Sequence, residues 1–451
     1  MTTIKIDTQR ALGKIKPMHA VGQPPFTGGF LKFDFSHMRH LTNAKIPYSR
    51  LHDVYGAFGS GRFVDIPNIF RDFDADVEDP ASYDFAFTDE LIKQMYSYDV
   101  KPVFRLGVTI ENQANIKSYY IYPPKSPAKW ARICEHIIRH YNEGWADGFN
   151  YGIEYWEIWN EPDNRPTPEM NQMWKGTPEE FYELYDVTAK HLKSCFGDTI
   201  KVGGYGCCDM RGIFYDPERF GINFPKVEPD ELKEKYDYRI AFFNGFLKYI
   251  KERGTPMDFF SFHSYHEVPQ TAAMDEYIHK TLCEYGYGNV ETHINEWNNA
   301  PAFVPENHGS SFAASSAAAM MLALQNGHAD MLMYYDTRVE ATAYGGFFAP
   351  FTKEPTATYY SFVAFGKLYE LGTQTETVID CDKAEFYAVS ATNGKKNALM
   401  IANRTGEKQE LNIEGVDLSN AKYHILDKNH LLSMAFDAKS IAKDTVLLIE
   451  W

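Results

Sequence analysis

Two acidic residues stand where carboxylates are out of place unless they do chemistry. The stretch "YWEIWNEPDN", Tyr155 to Asn164, puts Asn160 and Glu161 directly after an aromatic and apolar run. Much later "ETHINEW", Glu291 to Trp297, carries Glu296 near the end of a second such run. The proline after Glu161 breaks a strand and fixes where the preceding side chain points. Two carboxyls facing each other across a pocket can divide the work of cleaving a glycosidic bond. One protonates the leaving oxygen, and the other attacks the anomeric carbon or activates water. A separation of about 5–5.5 Å gives retention of configuration, and one of about 6.5–9.5 Å gives inversion.

Such a pair needs a scaffold that brings distant strand ends together. Eight short runs read as strands: "MHAVG" (18–22), "IPYSRLH" (46–52), "VKPVFRLGV" (100–108), "YWEIWNE" (155–161), "IKVGGYG" (200–206), "DFFSFHSYH" (258–266), "ETHINEW" (291–297) and "ADMLMYYD" (329–336). They are short, and rich in β-branched or aromatic residues. Their continuous apolar character suits parallel strands covered on both faces. Helical patterns lie between them. "SPAKWARICEHIIRHYNEG" offers Ser126 as N-cap and Pro127 at the first helical position. "TPEEFYELYDVTAKHLKSCFG" repeats the device, with Glu180 completing a capping box on Thr177. "DELIKQMYSYD", "YRIAFFNGFLKYIKERG" and "SFAASSAAAMMLALQNG" complete the set. About eight β-then-α units predict a (β/α)8 TIM barrel.

After Phe365 the texture changes to short alternating segments joined by Asn-Gly and Thr-Gly turns. The expected organisation is α/β: a catalytic barrel over 16–365, a C-terminal antiparallel β-sandwich over 366–451, and an N-terminal strand over 1–15 that joins the sandwich. The active face of a barrel lies at the C-terminal ends of its strands. Those ends carry Arg50 and His52 (second strand), Asn160 and Glu161 (fourth), His263, Tyr265 and His266 (sixth), and Glu296 (seventh).

"WEIWNEP" followed by "HINEW" resembles the clan A glycoside hydrolases. "SRLHDVYG", "WNEPDN", "DFFSFHSYH", "NEWNN" and the trailing β-segments make the chain most similar to glycoside hydrolase family 39, the β-xylosidase and α-L-iduronidase family. The resemblance spans nearly the whole chain and implies a retaining glycosidase. By position, Glu161 would be the acid/base, Glu296 the nucleophile, and Asn160 the partner of the sugar 2-hydroxyl. Arg50 and Tyr265 would contact Glu296, while His52 and His263 would bind sugar hydroxyls or tune Glu161. Glu161 gives a proton first and takes one later, so its pKa is expected above that of Glu296 until the glycosyl-enzyme forms. The clan usually places a Trp at the end of strand eight. Here "MLMYYDTRV" offers Tyr334, Tyr335 or Asp336 instead, with Tyr335 taken as substrate-binding. The glycine- and aromatic-rich "EATAYGGFFAP" that follows suits a substrate-facing loop. β-Xylosidase-like release of a terminal sugar is the first expectation. Other β-glycosidase, α-L-arabinosidase, uronidase or endo-acting activity, or a non-catalytic carbohydrate-binding barrel, are the alternatives.

Composition narrows the partners. The 451 residues carry a net charge of −16, which repels nucleic acid and anionic membrane surfaces. Aromatics reach 15%, enough both to fill a core and to stack on sugars. The first twenty residues have neither the apolar core nor the cleavage site of a leader, and no apolar run approaches about 18 residues. A cytoplasmic protein outside the membrane is expected, with a carbohydrate substrate; self-association into a homo-oligomer stays open. The six cysteines show no metal spacing and read as free thiols, with a vicinal Cys207–Cys208 disulfide as the minor alternative. "HIIRH" lacks the glutamate of a zinc protease motif and reads as a helix-surface pair, His136 and His140. "GGYG" (203–206) is no dinucleotide fingerprint and reads as a tight turn. No cofactor and no metal are expected.

Overall fold

The structure is a computed structural model that describes residues 1–28, 33–54, 64–109, 121–299, 304–339, 342–344, 346–435, 437 and 439–451. The chain begins in β1 (Thr2–Lys14), a long strand outside the barrel. The barrel strands follow: β2 (Ala20–Gly22), β3 (Tyr48–Leu51), β4 (Lys101–Leu106), β5 (Tyr155–Ile158), β6 (Lys201–Cys207), β7 (Phe259–Ser264), β8 (Glu291–Trp297) and β9 (Met331–Tyr334). They pair in parallel in chain order, and β9 closes the ring on β2. Each lies within the run read from the sequence, apart from one extra residue, Cys207, at the end of β6.

The connecting helices are α1 (Arg39–Asn43), α2 (Ile66–Ile69), α3 (Ala86–Ser97), α4 (Pro127–Glu143), α5 (Pro178–Phe196), α6 (Pro217–Phe220), α7 (Lys233–Arg253), α8 (Val268–Tyr285), α9 (Ser311–Gln325) and α10 (Ala357–Leu371). Ser126 caps α4, and the Thr177–Glu180 capping box forms at the start of α5. Of the helices longer than five residues, two escaped the sequence reading. No side chain caps α8, and its buried face includes Thr271, Asp275 and Thr281. α10, "ATYYSFVAFGKLYEL", is so rich in aromatic and β-branched residues that its composition favours strand. The His136–His140 reading needs correction too. Both rings are buried, His140 against Asp89 at 2.9 Å and His136 against the Arg132 carbonyl at 2.8 Å. Among the described residues no helix is long and apolar enough to cross a membrane.

Side chains alternate along the barrel strands, so inward residues fall two apart. The floor of the barrel is apolar: Ala20, Val103, Tyr155, Phe259, Met331 and Met333. Two residues further along, Arg50 on β3, Arg105 on β4, Glu157 on β5 and Ser261 on β7 are buried and polar. Another step reaches His52 and His263 at the rim. The sequence thus stacks a hydrophobic floor, a charged middle layer and a reactive mouth.

The remaining strands are β10 (Thr373–Asp380), β11 (Phe386–Thr392), β12 (Asn397–Asn403), β13 (Gln409–Glu414), β14 (Lys422–Asp427), β15 (His430–Ala435), β16 (Ser440–Ile441) and β17 (Thr445–Glu450). With β1 they form one nine-stranded sheet, antiparallel except at the β1–β13 pair. α10 runs through Leu371, and β10 begins at Thr373. Alternation again sorts the residues. Ala398, Met400, Ala402, Val446 and Leu448 join the core shared with the barrel helices. Leu399, Ile401, Leu447 and Ile449 turn the other way, onto Ile4 and Ile6 of β1. The small side chains of α9 suit its packing against β11, β12 and β17.

Candidate active site

Arg50 organises the mouth of the barrel. Its three guanidinium nitrogens each reach a different acceptor: Nε to Glu157 Oε2 at 2.6 Å, Nη1 to Glu296 Oε1 at 2.7 Å, and Nη2 to Asn160 Oδ1 at 2.6 Å. All four residues are buried. A guanidinium taken out of water is stable only when its donors are matched in this way.

Local backbone irregularities present neighbouring residues to the same cleft. In β8 the pairing register shifts between Ile294 and Trp297, and again opposite His263. The bulge lets both Asn295 and Glu296 face inward, where regular alternation would hide one. At the end of β5, Trp159 and Glu161 take φ of 72° and 45°. Such left-handed conformations cost a non-glycine residue roughly 1–3 kcal/mol. They turn Trp159 outward, its Nε1 donating to the Met173 carbonyl, and bring Asn160 and Glu161 both into the cleft. The Glu161 N–H is held by the Gly206 carbonyl at 3.0 Å.

"GGYG" is not a turn: it belongs to β6, which carries its own register shift between Gly204 and Cys207. A methyl group on Gly206, at φ 60°, would lie 2.9 Å from Asn160 Oδ1 and 3.2 Å from both Arg50 Nη2 and His263 Nε2. Only glycine leaves room for the polar layer here.

The two carboxylates meet across this cleft. An oxygen of Glu161, an oxygen of Glu296 and a nitrogen of His263 all lie within 4.8 Å of one another. Glu296 is held on one side by Arg50 and on the other by Tyr265, whose hydroxyl donates to Oε2 at 2.8 Å. Burial, followed by the charge of Glu296, pushes the Tyr265 phenol well above its ordinary value, so it remains a donor. His263 bridges the pair, with Nδ1 2.9 Å from Glu161 Oε1 and 3.5 Å from Glu296 Oε2. Asn164 Nδ2 donates to the other Glu161 oxygen at 2.8 Å.

Burial and charge compete at Glu161 and His263. Burial opposes ionisation of Glu161, but the hydrogen bond and charge of His263, with Arg239 and Asn164, prevail and bring its pKa down to about 2. Burial also opposes the charge on His263, and the two glutamates outweigh it, raising the imidazole above its ordinary value. The contact thus favours an ionised Glu161 beside a protonated His263. His52 behaves differently. Burial first, then Arg105 and Arg50, hold it well below its ordinary value, so it is neutral. Its Nε2 lies 3.4 Å from Asp53 Oδ1 and 3.6 Å from Glu296 Oε1, on the side of the nucleophile candidate rather than of Glu161. Asp53 is pushed up to about 6 by burial and then by Glu296.

The eighth barrel strand, β9, ends in Tyr334 and leads into Tyr335 and Asp336, three residues with three fates. Tyr334 packs outward against Trp297, Phe347 and Phe362. Asp336 is buried on Arg338 at 2.6 Å. Tyr335 turns to the mouth, donates to Asp53 Oδ2 at 2.8 Å, and accepts from Gln23 Nε2 at 2.7 Å. Its ring meets Tyr344 edge-on, and Tyr344 in turn packs beside Tyr265. Of the loop at 340–350, residues 340, 341 and 345 lie outside the described residues.

The chain matches the model of the glycosyl hydrolases family 39 over residues 2–324. The chain belongs to family 39. Within it, the β-xylosidase of Geobacillus stearothermophilus is 25% identical over 245 residues, which cover 52% of this chain and 39% of that protein. The match thus spans about two fifths of that relative's length. Among solved structures, a glucosidase from Croceicoccus marinus superposes with a TM-score of 0.73 at 19% identity, covering 100% of this chain and 98% of that one. A family 39 β-xylosidase from Caulobacter crescentus gives 0.67 at 15% identity, covering 99% of each chain. At these identities the likeness is one of fold.

Of the residues singled out from the sequence of this family 39 member, eight stand at or beside the cleft: Arg50, His52, Asn160, Glu161, His263, Tyr265, Glu296 and Tyr335. His266 turns aside to Asp209 at 3.0 Å. Four participants were missed: Glu157, Asn164, Gln23 and Asp53. Glu157 alone had a signal, since in "YWEIWNE" strict alternation puts Tyr155 and Glu157 on one face and Trp156 and Ile158 on the other.

Proposed function

We propose that the protein is a retaining glycosidase that releases a terminal sugar from a short oligosaccharide or glycoside, with a β-linked xylose as the leading glycone. The observation that carries this reading is the approach of the two carboxylates. Nearest oxygens within 4.8 Å favour the close separation of direct attack, about 5–5.5 Å between carboxyl groups, over the about 6.5–9.5 Å of water activation. Family membership and the β-xylosidase relative support the glycone.

In this reading Glu296 attacks the anomeric carbon. Arg50 and Tyr265 keep it ionised and aimed, and Asn160 holds the sugar 2-hydroxyl, a bond that tightens in the transition state. The proton for the leaving oxygen comes from the Glu161–His263 pair. It passes from His263 Nδ1 to Glu161 along their 2.9 Å hydrogen bond and from Glu161 to the glycosidic oxygen, leaving Glu161 ionised. Glu161 then takes a proton from the water that releases the sugar from Glu296, and the pair regains the proton it gave up. His52, Asp53 and Tyr335 line the glycone side, and Tyr344 with Tyr265 supplies an aromatic wall.

The test is a panel of aryl glycosides, β-xyloside, β-glucoside, β-galactoside, α-L-arabinoside and β-glucuronide, with Glu296→Ala alongside. Hydrolysis of one glycoside, lost in the variant, is the expected result. Turnover that survives in Glu296→Ala contradicts the nucleophile assignment.

A further inference from the structure

Below the reacting pair lies a third carboxylate that touches no substrate position. Glu157 is fully buried, in the middle layer of the barrel. Its Oε2 accepts from Arg50 Nε at 2.6 Å. Its Oε1 accepts from Ser261 Oγ at 2.6 Å and from the side-chain amide of Asn295. Ser261 in turn accepts from the Gly206 N–H at 2.8 Å, and Asn295 directly precedes Glu296. Strands β3, β5, β7 and β8 are thus joined through one side chain. A lone buried carboxylate is costly, so a carboxylate kept here is kept against a cation. That cation is also the one on Glu296.

We propose that Glu157 is a positioning residue that sets the reactivity of Glu296 by sharing the charge of Arg50. One guanidinium faces two carboxylates, so neither is fully neutralised. Glu296 keeps more of its negative charge, and hence its nucleophilicity, than it would as the sole partner of Arg50. Three bonds from Arg50 to three acceptors also fix the plane of the guanidinium, which aims Nη1 at Oε1 of Glu296. The proposal rests on Glu296 being the nucleophile.

Glu157→Gln tests it with little change of shape. One amide oxygen still accepts from Arg50 Nε. The amide nitrogen faces Asn295, whose Oδ1 has no partner among the described residues and accepts it once that amide turns over. With the charge of Glu157 gone, Arg50 pairs with Glu296 alone and stabilises its ionised form. The acid limb of the kcat/KM profile therefore moves to lower pH. A less basic carboxylate attacks more slowly but leaves more readily. So kcat/KM falls by about tenfold or more, while kcat on an activated aryl glycoside, limited by the second step, falls less.

The experiment measures both parameters against pH for wild type, Glu157→Gln and Glu157→Asp, on whichever aryl glycoside the panel identifies, with thermal unfolding as a check. The expected result is an acid limb displaced to lower pH and an unequal loss in Glu157→Gln, partly recovered in Glu157→Asp. An unmoved limb, with kcat and kcat/KM falling together or not at all, overturns the proposal. If Glu157→Gln does not fold, Glu157→Asp decides alone: a smaller displacement in the same direction supports the proposal, and none overturns it. Glu296→Ala run in parallel separates the two readings. Turnover in that variant defeats the nucleophile assignment, whereas an inactive Glu296→Ala beside an unmoved limb defeats only the role of Glu157.

Discussion

Replacing His263 with phenylalanine should move the alkaline limb of activity toward acid. In the wild-type site the Glu161–His263 pair carries one proton near neutrality. Glu161 lies at about 2 against an ordinary 4.5. At about 1.4 kcal/mol per pH unit, that difference is roughly 3 kcal/mol in favour of the ionised carboxylate. His263 is raised above its ordinary 6.5 by the same contact and by Glu296, against the effect of burial. The pair therefore keeps its proton to a pH above 6.5, although a carboxyl alone would have lost it. Phenylalanine fills the space of the imidazole and carries no proton. Glu161 then titrates by itself, as a buried carboxyl. For substrates with poor leaving groups the alkaline limb should fall by at least about one pH unit, and kcat/KM at pH 7 by about tenfold or more.

Stability follows with its own sign. The depressed pKa of Glu161 contributes stability above its ordinary 4.5, lost as pH falls through about 2. The raised pKa of His263 contributes below 6.5, lost as pH rises through its value in the folded protein. The wild-type advantage in Tm over the variant should therefore peak between about pH 4.5 and 6.5. The assay is kcat/KM against pH on a poorly activated glycoside, with melting curves across the same range. An alkaline limb that stays in place in a folded His263→Phe protein would refute the reasoning.

Other outcomes follow from single contacts. Glu161→Ala should depress turnover of substrates with poor leaving groups far more than of activated aryl glycosides, because only the former need the proton; equal losses in a kcat/KM comparison would contradict its role. Gly206→Ala places a methyl group 2.9 Å from Asn160 Oδ1 on a left-handed backbone. It should lower kcat/KM by about tenfold or more, measured beside the Tm, since a misplacement near an ångström costs orders of magnitude. Thr177→Ala removes the capping box of α5. It should lower stability by about 1 kcal/mol in denaturant titrations and leave kcat/KM unchanged.

The scaffold was more legible than the wiring. Parallel strands buried on both faces leave short apolar runs, and the polar residues that end them mark the mouth of the barrel, so Arg50, Glu161 and Glu296 stood out from spacing alone. α10 did not, because tertiary packing, with Phe362 on Trp297 and Tyr334 and Phe365 on His19, overrides the strand-like composition of "ATYYSFVAFGKLYEL". Glu157 was obscured by its apolar neighbours, though period-two alternation held the clue. The protonation of Glu161 was illegible for a different reason. It depends on a hydrogen bond between residues 102 apart in sequence, and on charge outweighing burial, which no local pattern encodes. Gln23 and Asp53 are brought together by Tyr335, at the far end of the barrel sequence.

The central claim is that Glu296 forms a covalent bond to the sugar. An activated 2-deoxy-2-fluoro-β-glycoside of the preferred sugar slows release of the glycosyl-enzyme, and mass spectrometry of the digested protein then locates the label. The account predicts time-dependent inactivation, one sugar added per chain, and the added mass on the peptide containing Glu296. Inactivation with the label on another residue, or continued turnover with no adduct while the product keeps inverted configuration, would contradict it.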